Sequence, residues 1–290
     1  MDIKCPAKIN LGLSVGEKRE DGYHGISSIF ATASLFDTLS IQKSGAFLFE
    51  ATGEAIPQGE ANIVEKAAKA LESYTGTKIL ASIRLHKAIP IGAGLGGGSS
   101  DAACAVVGLN KELALGLSCE SMLKIAESLG SDVPFLIKGG VAFCEGRGEV
   151  ITPLDESILA GYSALLVMPG IHISTKLAYE RIDALRAAGE AAEPCDFERA
   201  AACLAQGDTE RLPFYLKNHF EEFAFREFAS LKAIKSELYS CGAFFASMSG
   251  SGSTVYGLFK GTEIEQASAH FSGSGYRTHI CSLLGGLNDI

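Results

Sequence analysis

No two of the eight cysteines, at positions 5, 104, 119, 144, 195, 203, 241 and 281, stand close enough to form a Cys-x-x-Cys pair. That excludes a zinc knuckle and a thioredoxin-like redox motif. Most lie among apolar neighbours, as Cys104 does in Ala-Ala-Cys-Ala-Val-Val, and read as buried, reduced thiols of a cytosolic protein. The six histidines, at 24, 86, 172, 219, 270 and 279, make no His-x-x-x-His pair, so a metalloprotease-type site is not indicated. Cations are in deficit: 25 Lys and Arg face 34 Asp and Glu, a net charge of −9, without a basic block. A nucleic-acid backbone needs clustered Lys and Arg to displace its counterions, so no nucleic-acid partner is expected; a local positive pocket for a small anion is compatible with the balance. Long apolar runs are missing too. Ala164–Met168 is among the longest, far short of the roughly 18 residues that span a bilayer. Met1-Asp2-Ile3-Lys4 opens no apolar block of the kind a secretory leader carries. The expectation is a soluble cytoplasmic protein with no membrane partner.

What is present is globular. Hydrophobic residues make up 47% and charged residues 20% of 290, which excludes a disordered chain. At roughly 100–200 residues per domain the length suggests one large or two medium domains. From Ile3 to Val15 every second residue is apolar, the signature of a strand with one buried face, which places Lys8 and Asn10 together on the other face. Glu20-Asp21-Gly22 is a turn signal. Strand-like runs follow near Thr38–Ile41 and Ala46–Glu50, a helical spacing from Ala61 to Tyr74, an alternation from Ile79 to Leu85, and helical patterns from Ser99 to Leu115 and after Ser118. The second half mixes a strand at Ala164–Met168 with helical patterns at Thr175–Ala188, Phe197–Ala205 and Glu227–Ser240, then a strand-loop-strand at Ala243–Phe259 and a last helix and strand. There is no internal repeat, and strands and helices do not alternate strictly, which favours an α+β fold over a doubly wound sheet. The boundary is placed near Pro153–Gly161, giving domains 1–155 and 156–290.

The most informative stretch is Pro90-Ile91-Gly92-Ala93-Gly94-Leu95-Gly96-Gly97-Gly98-Ser99-Ser100, between a strand and a helix, with glycine at five of the seven positions 92–98. Glycines let backbone N–H groups approach a ligand, and a helix N-terminus attracts an anion, for which phosphate is the natural occupant. A Walker A loop is excluded, because no Lys stands in the required place. Gly92-x-Gly94-x-x-Gly97 satisfies the dinucleotide fingerprint, but the acidic residues about 20 positions further on, Glu112 and Glu120, fall in helical pattern instead of ending a strand. A phosphate loop of another kinase class and a flexible hinge remain; hinges do not usually end in Ser-Ser-Asp at a helix start.

Pro90–Ser100 resembles the second motif of the GHMP small-molecule kinases. Pro6-Ala-Lys-Ile-Asn10-Leu resembles the first and Met248-Ser-Gly-Ser-Gly-Ser253 the third, in the right order along the chain. Within the superfamily, Asp21-Gly-Tyr-His24, Gly94-Leu-Gly-Gly-Gly-Ser-Ser100 and Leu129-Gly-Ser-Asp-Val-Pro-Phe135 are most similar to the branch acting on a cytidylated methylerythritol of the non-mevalonate isoprenoid pathway. The resemblance implies an N-terminal domain like the second domain of ribosomal protein S5, a C-terminal ferredoxin-like domain and an active site between them. It implies ATP as phosphoryl donor, the 2-hydroxyl of the cytidylated acceptor as target, Mg²⁺ as companion ion, and a monomer or homodimer.

The same resemblance assigns roles. Residues 90–100 and Asn62 bind ATP, Asn62 beside the adenine; as a residue, Asn62 reads equally as a helix N-cap. Asp132 is the base that takes the acceptor's proton, although Ser131-Asp132-Val-Pro134 also reads as a helix cap with Pro in the first turn. Lys8 is the catalytic lysine; without the motif it reads as a solvated strand lysine. Asn10, Tyr23, His24, Thr175 and Tyr179 contact the acceptor, the aromatic groups holding the cytidine end, whereas Tyr23 and His24 could equally pack the turn after Gly22. Ser249, Gly250, Ser251 and Gly252 support the phosphate loop from the other domain. Ser100 is the first choice of metal ligand, ahead of Asp101, which also reads as a dipole partner at a helix start. A homoserine- or mevalonate-type kinase is disfavoured by Asp21–His24, since those acceptors offer no pyrimidine to stack on. A non-catalytic nucleotide-binding module is disfavoured by the presence of both Lys8 and Asp132.

Overall fold

The alternation that begins at Ile3 becomes β1 (Asp2–Lys18), and it pairs antiparallel with β2 (His24–Lys43), Lys8 opposite Thr32 and Asn10 opposite Phe30. The computed structural model describes residues 1–54, 56, 62–190 and 192–285. The expected helix start at Ala61 lies outside them. β3 (Leu48–Gly53) runs parallel to β4 (Ala81–Lys87), with α1 (Ile63–Thr75) between them in the chain. The Thr38–Ile41 run is the end of β2 and no separate strand. α2 (Gly97–Glu112), α3 (Cys119–Leu129) and α4 (Val133–Lys138) follow, then the hairpin β5 (Val141–Glu145) and β6 (Val150–Pro153).

The remainder comprises β7 (Ser163–Met168), α5 (Thr175–Ala187), α6 (Phe197–Gln206), α7 (Leu212–Tyr215), α8 (Glu221–Glu227), α9 (Ala229–Ser240), β8 (Phe245–Met248), β9 (Val255–Phe259), α10 (Glu263–Gly273) and β10 (Arg277–Leu284). Its strands lie in the order β10-β7-β9-β8, every pair antiparallel. That is the ferredoxin-like split βαβ arrangement, with extra helices inserted before α9. The fold is α+β, as the sequence indicated. The helical pattern read as starting at Glu227 breaks at Phe228, whose backbone leaves the helical region (φ −129°, ψ 83°).

One expectation is corrected. β1 was read as burying a single face, yet Lys8 is 4% and Asn10 0% exposed. Alternation tells which residues share a face; it does not tell whether something else covers the second one. Here Phe30 and Gly96 lie against Lys8 and Gly250 lies against Asn10, while on the other face Ala7, Ile9 and Leu11 pack in a cluster that also holds Leu166, Phe245 and Tyr256 from the second half. The Tyr256 hydroxyl donates to the Asn10 carbonyl at 2.7 Å. At the rim, Leu13 N–H donates to the Lys217 carbonyl (2.7 Å) and His219 N–H to that of Leu13 (2.9 Å), so the two halves share backbone hydrogen bonds as well as a core.

Candidate active site

A cleft of about 910 Å³ lies between the two halves. Its walls carry Lys8, Lys18, Lys66, Lys87, Arg147 and Lys176 against Asp101, Asp132, Glu180 and Asp183. In a chain with a net charge of −9, this local excess of cations makes the cleft suited to an anion.

At one end runs the Gly-rich loop, Pro90 through Ser99 all lining the cleft. Gly96 is the N-cap of α2 in the left-handed conformation (φ +68°), with no side-chain cap and no acidic residue in the first turn. The first N–H groups of the helix are thus left for a ligand, and the dipole favours a negative one. The loop is fixed from both halves. Lys8 N–H donates to the Leu95 carbonyl (2.9 Å), Thr254 N–H to that of Ala93 (3.2 Å), and Ser249 Oγ to that of Gly94 (2.8 Å). A Cβ on Gly94 (φ +78°) would overlap the Ser249 carbonyl, so only glycine lets the two strands of backbone meet. Gly250 and Ser251 also line the cleft, whereas Ser249 and Gly252 sit behind it. Asn62 caps α1 in a capping box with Glu65, its Oδ1 accepting from Val64 N–H at 2.9 Å, and lines the cleft as well.

Midway stand Lys8 and Asp132, 124 positions apart in sequence, with Nζ 3.4 Å from Oδ2. Lys8 Nζ donates to Asn10 Oδ1 (2.7 Å), Asn10 Nδ2 to Ser28 Oγ (3.0 Å), and Ser28 Oγ to the Gly12 carbonyl (2.6 Å). The ammonium also lies 4.8 Å from the centre of the Phe30 ring. Asn10 therefore orients Lys8. Asp132 is the N-cap residue of α4, but its carboxylate makes no capping hydrogen bond; it stays turned to the cleft, 27% exposed.

At the far end, the turn Arg19–Tyr23 is closed by Arg19 N–H to the Tyr23 carbonyl (2.7 Å) and by Tyr23 N–H to Asp21 Oδ1 (3.0 Å). It presents Tyr23, 57% exposed, with the Arg147 guanidinium 5.1 Å from its ring centre. His24 is buried and stacks on Tyr179 of α5 at 4.9 Å and 13°. Asp183, one helical turn on, binds His24 Nε2 at 2.8 Å. A carboxylate oxygen only accepts, so Nε2 carries the proton. Burial, and then the Asp132 charge, push the Tyr179 phenol up to about 12, which keeps its hydroxyl neutral. Thr175 Oγ1 lies 3.0 Å from Ser251 Oγ, tying the start of α5 to the third motif.

The family model for the GHMP kinases N terminal domain matches residues 62–140, and that for the GHMP kinases C terminal matches 198–277. The 4-diphosphocytidyl-2-C-methyl-D-erythritol kinase of Chlorobium phaeovibrioides is 38% identical over 90% of this chain and 88% of its own length. That of Thermodesulfovibrio yellowstonii is 39% identical, over 94% and 95%. This chain belongs to the 4-diphosphocytidyl-2-C-methyl-D-erythritol kinase family. The crystal structure of a 4-(cytidine 5'-diphospho)-2C-methyl-D-erythritol kinase agrees, with TM-score 0.82 and 33% identity, covering 99% of this chain and 100% of that one. A homoserine kinase from Cytophaga hutchinsonii, with TM-score 0.69 and 17% identity over 99% and 95% of the two chains, shares the fold.

In this member of the 4-diphosphocytidyl-2-C-methyl-D-erythritol kinase family, one expected ligand is misplaced. Ser100 is fully buried, its Oγ has no partner, and it does not line the cleft; Ser99 and Asp101 do. By position 100 the helix has begun, Ser100 N–H bonding the Gly96 carbonyl at 2.9 Å, and one residue turns the side chain inward. Sequence reasoning also missed residues. Asp183 stands at i+4 from Tyr179, a spacing that puts both on one helix face. Lys87 and Asp37 fall in phase with the buried sets Ala81, Ile83, Leu85 and Leu35, Leu39, Ile41, a signal that each has a buried partner. Arg147, in the turn joining β5 and β6, left no such signal. Of the eight cysteines, all free, five are buried and Cys119 is exposed.

Proposed function

We propose that the chain is a cytoplasmic enzyme that transfers the terminal phosphoryl group of ATP to the 2-hydroxyl of 4-diphosphocytidyl-2-C-methyl-D-erythritol. The observation that carries this reading is the meeting of Lys8 and Asp132 at 3.4 Å between a backbone phosphate cradle and an aromatic end. Phosphoryl transfer is mostly positioning and charge neutralisation, and each element has a part in it. The N–H groups at the start of α2 hold the nucleotide phosphates. Asp132 accepts the proton of the acceptor hydroxyl as the O–P bond forms. Lys8 steadies the oxygen as it loses that proton and offsets the charge gathering on the transferred group. Tyr23, His24 and Tyr179 hold the cytosine, and Thr175 the region next to the third motif. We take residues 1–155 as the domain bearing the reacting groups and 156–290 as the domain that closes the cleft.

Mg²⁺ fits as an ion carried by the nucleotide. Among the described residues no group of three or more His, Cys, Asp or Glu side chains could hold a metal ion, whereas Mg²⁺ on a nucleotide needs only one or two protein oxygens beside the phosphates. The hard oxygens lining the cleft beside the loop are those of Ser99 and Asp132, whereas Asp101 Oδ1 is buried. When bound, the ion would neutralise phosphate charge; Ser99, at the loop's end, is the group that would hold it, which leaves Asp132 free as the base. No helix among the described residues is long and apolar enough to cross a membrane.

ADP release with a panel of acceptors and Mg²⁺ tests the reading. Turnover with the cytidylated acceptor alone is expected. Turnover with homoserine or mevalonate and none with the cytidylated acceptor, or ATP binding without turnover on any, overturns it.

A further inference from the structure

Beneath the phosphate loop lies a cluster that the transfer does not use. Asp37 of β2, Lys87 at the end of β4 and Asp101 of α2 are 0%, 5% and 2% exposed. Lys87 Nζ donates to Asp37 Oδ2 and, at 2.6 Å, to Asp101 Oδ2. Asp37 Oδ1 accepts from the N–H groups of Ala88 (2.6 Å) and Ile89 (2.8 Å), the two residues that lead into the loop. Asp101 directly follows the loop's last residue. One carboxylate thus holds the entrance, the other holds the exit, and one ammonium ties them together. Lys87 also reaches the loop's interior, since a Cβ on Gly97 would sit 3.3 Å from its Nζ. From the other half, Arg277 donates to the Ala88 carbonyl at 2.6 Å, so the entrance peptide is gripped on both sides.

Stability alone does not account for this cluster. Buried ion pairs repay their desolvation poorly, and apolar residues of similar volume often do as well or better. The second carboxylate is in excess of what Lys87 needs for charge balance, and its Oδ1 has no partner. A stretch with five glycines in seven positions has little conformational preference of its own. Fixing its ends removes ordering that a ligand would otherwise have to supply.

We propose that Asp37, Lys87 and Asp101 are positioning residues for the nucleotide: they set the separation and orientation of the loop's two ends so that its N–H groups converge on one phosphate position. This rests on the reading that the loop binds ATP.

The test measures ATP affinity by calorimetry without acceptor, together with KM for ATP and for the cytidylated acceptor. The proteins compared are the wild type, Asp37→Ala, Asp37→Asn and Asp101→Asn. Asparagine at 37 keeps an oxygen for the Ala88 and Ile89 N–H groups; alanine does not. The ATP Kd and KM are expected to rise about tenfold or more in Asp37→Ala and less in Asp37→Asn, with the acceptor KM held within about twofold. A purely structural role instead lowers the melting temperature and the active fraction and leaves both KM values where they were. Unchanged ATP Kd in folded Asp37→Ala overturns the proposal, as does an equal rise in the two KM values. If Asp37→Ala does not fold, Asp37→Asn, which removes the charge that faces Lys87, decides by the same KM split. A wild-type chain that binds no ATP overturns the nucleotide reading and this proposal with it; wild-type binding with unaffected variants overturns this proposal alone.

Discussion

The two ends of the cleft are built from different materials. The loop end is backbone: consecutive residues of one segment, glycines where carbonyls pass close, and N–H groups left uncapped where a helix begins. The far end is side chains: Tyr23 from the turn after β1, His24 from the start of β2, Tyr179 and Asp183 from α5, and Arg147 from a hairpin, converging over more than a hundred positions of sequence. A backbone site recognises what every nucleoside triphosphate has in common. A side-chain site recognises one acceptor. The difference teaches where each kind of change should be felt: substitutions at the loop end act on the nucleotide, those at the far end on the acceptor, and those at Lys8 and Asp132 on the chemical step.

The largest effect is expected at the centre. Asp132→Asn should lower kcat by a factor on the order of 10²–10⁴ while leaving the calorimetric Kd for ATP nearly unchanged. Because Lys8 and Asp132 are in contact, the double variant with Lys8→Met should lose little more than the worse single one; fully multiplicative losses would separate the two residues. Next comes the loop. In Gly94→Ala the new Cβ must displace the Ser249 carbonyl, and a shift of about 1 Å there should raise the KM for ATP on the order of a hundredfold. If the acceptor KM rises just as much, the two ends are not independent and the comparison breaks. Tyr23→Ala tests the other end: loss of one stacking ring should weaken acceptor binding about tenfold without moving the ATP Kd, and unchanged acceptor affinity would make Tyr23 structural.

The smallest effect is one of pH. Burial, with Asp37 adding to it and Lys87 opposing, pushes the Asp101 carboxyl up to about 8 from its ordinary 3.8. The folded chain then keeps a proton that the unfolded chain releases above that ordinary value. The stabilisation linked to this group is complete below about pH 4, erodes as pH rises, and is gone above about pH 8. Over the upper part of that window the melting temperature should fall by a few degrees between pH 6 and 8.5, and less so in Asp101→Asn. Identical slopes in the two proteins would show that Asp101 does not hold the proton.

Much of the fold was legible. Alternation located β1 and β4, caps located α1 and α3, and Ser174 caps α5 where the pattern placed its start. Less was legible where an element's surroundings decide the outcome. The polar face of β1 reads as solvent-facing because nothing local says that Phe30, the Gly-rich loop and Gly250 will close over it. Ser100 reads as a metal ligand because the first turn of a helix cannot be phased to a single residue from sequence alone. The buried trio of Asp37, Lys87 and Asp101 announced itself only as charges in phase with apolar neighbours, with no indication of their partners.

By itself the sequence determined the Gly-rich loop, the order of the three motifs along the chain and the α+β mixture, because these depend on φ, ψ preferences and on side-chain periods of two and 3.6, which act over a few residues. Only the tertiary structure decided that Lys8 meets Asp132, that His24 is held by Asp183, and that the ends of the loop are tied by one buried ammonium. Those contacts join residues 14 to 159 positions apart. They exist because apolar burial, which is indifferent to direction and to sequence separation, brought their elements together.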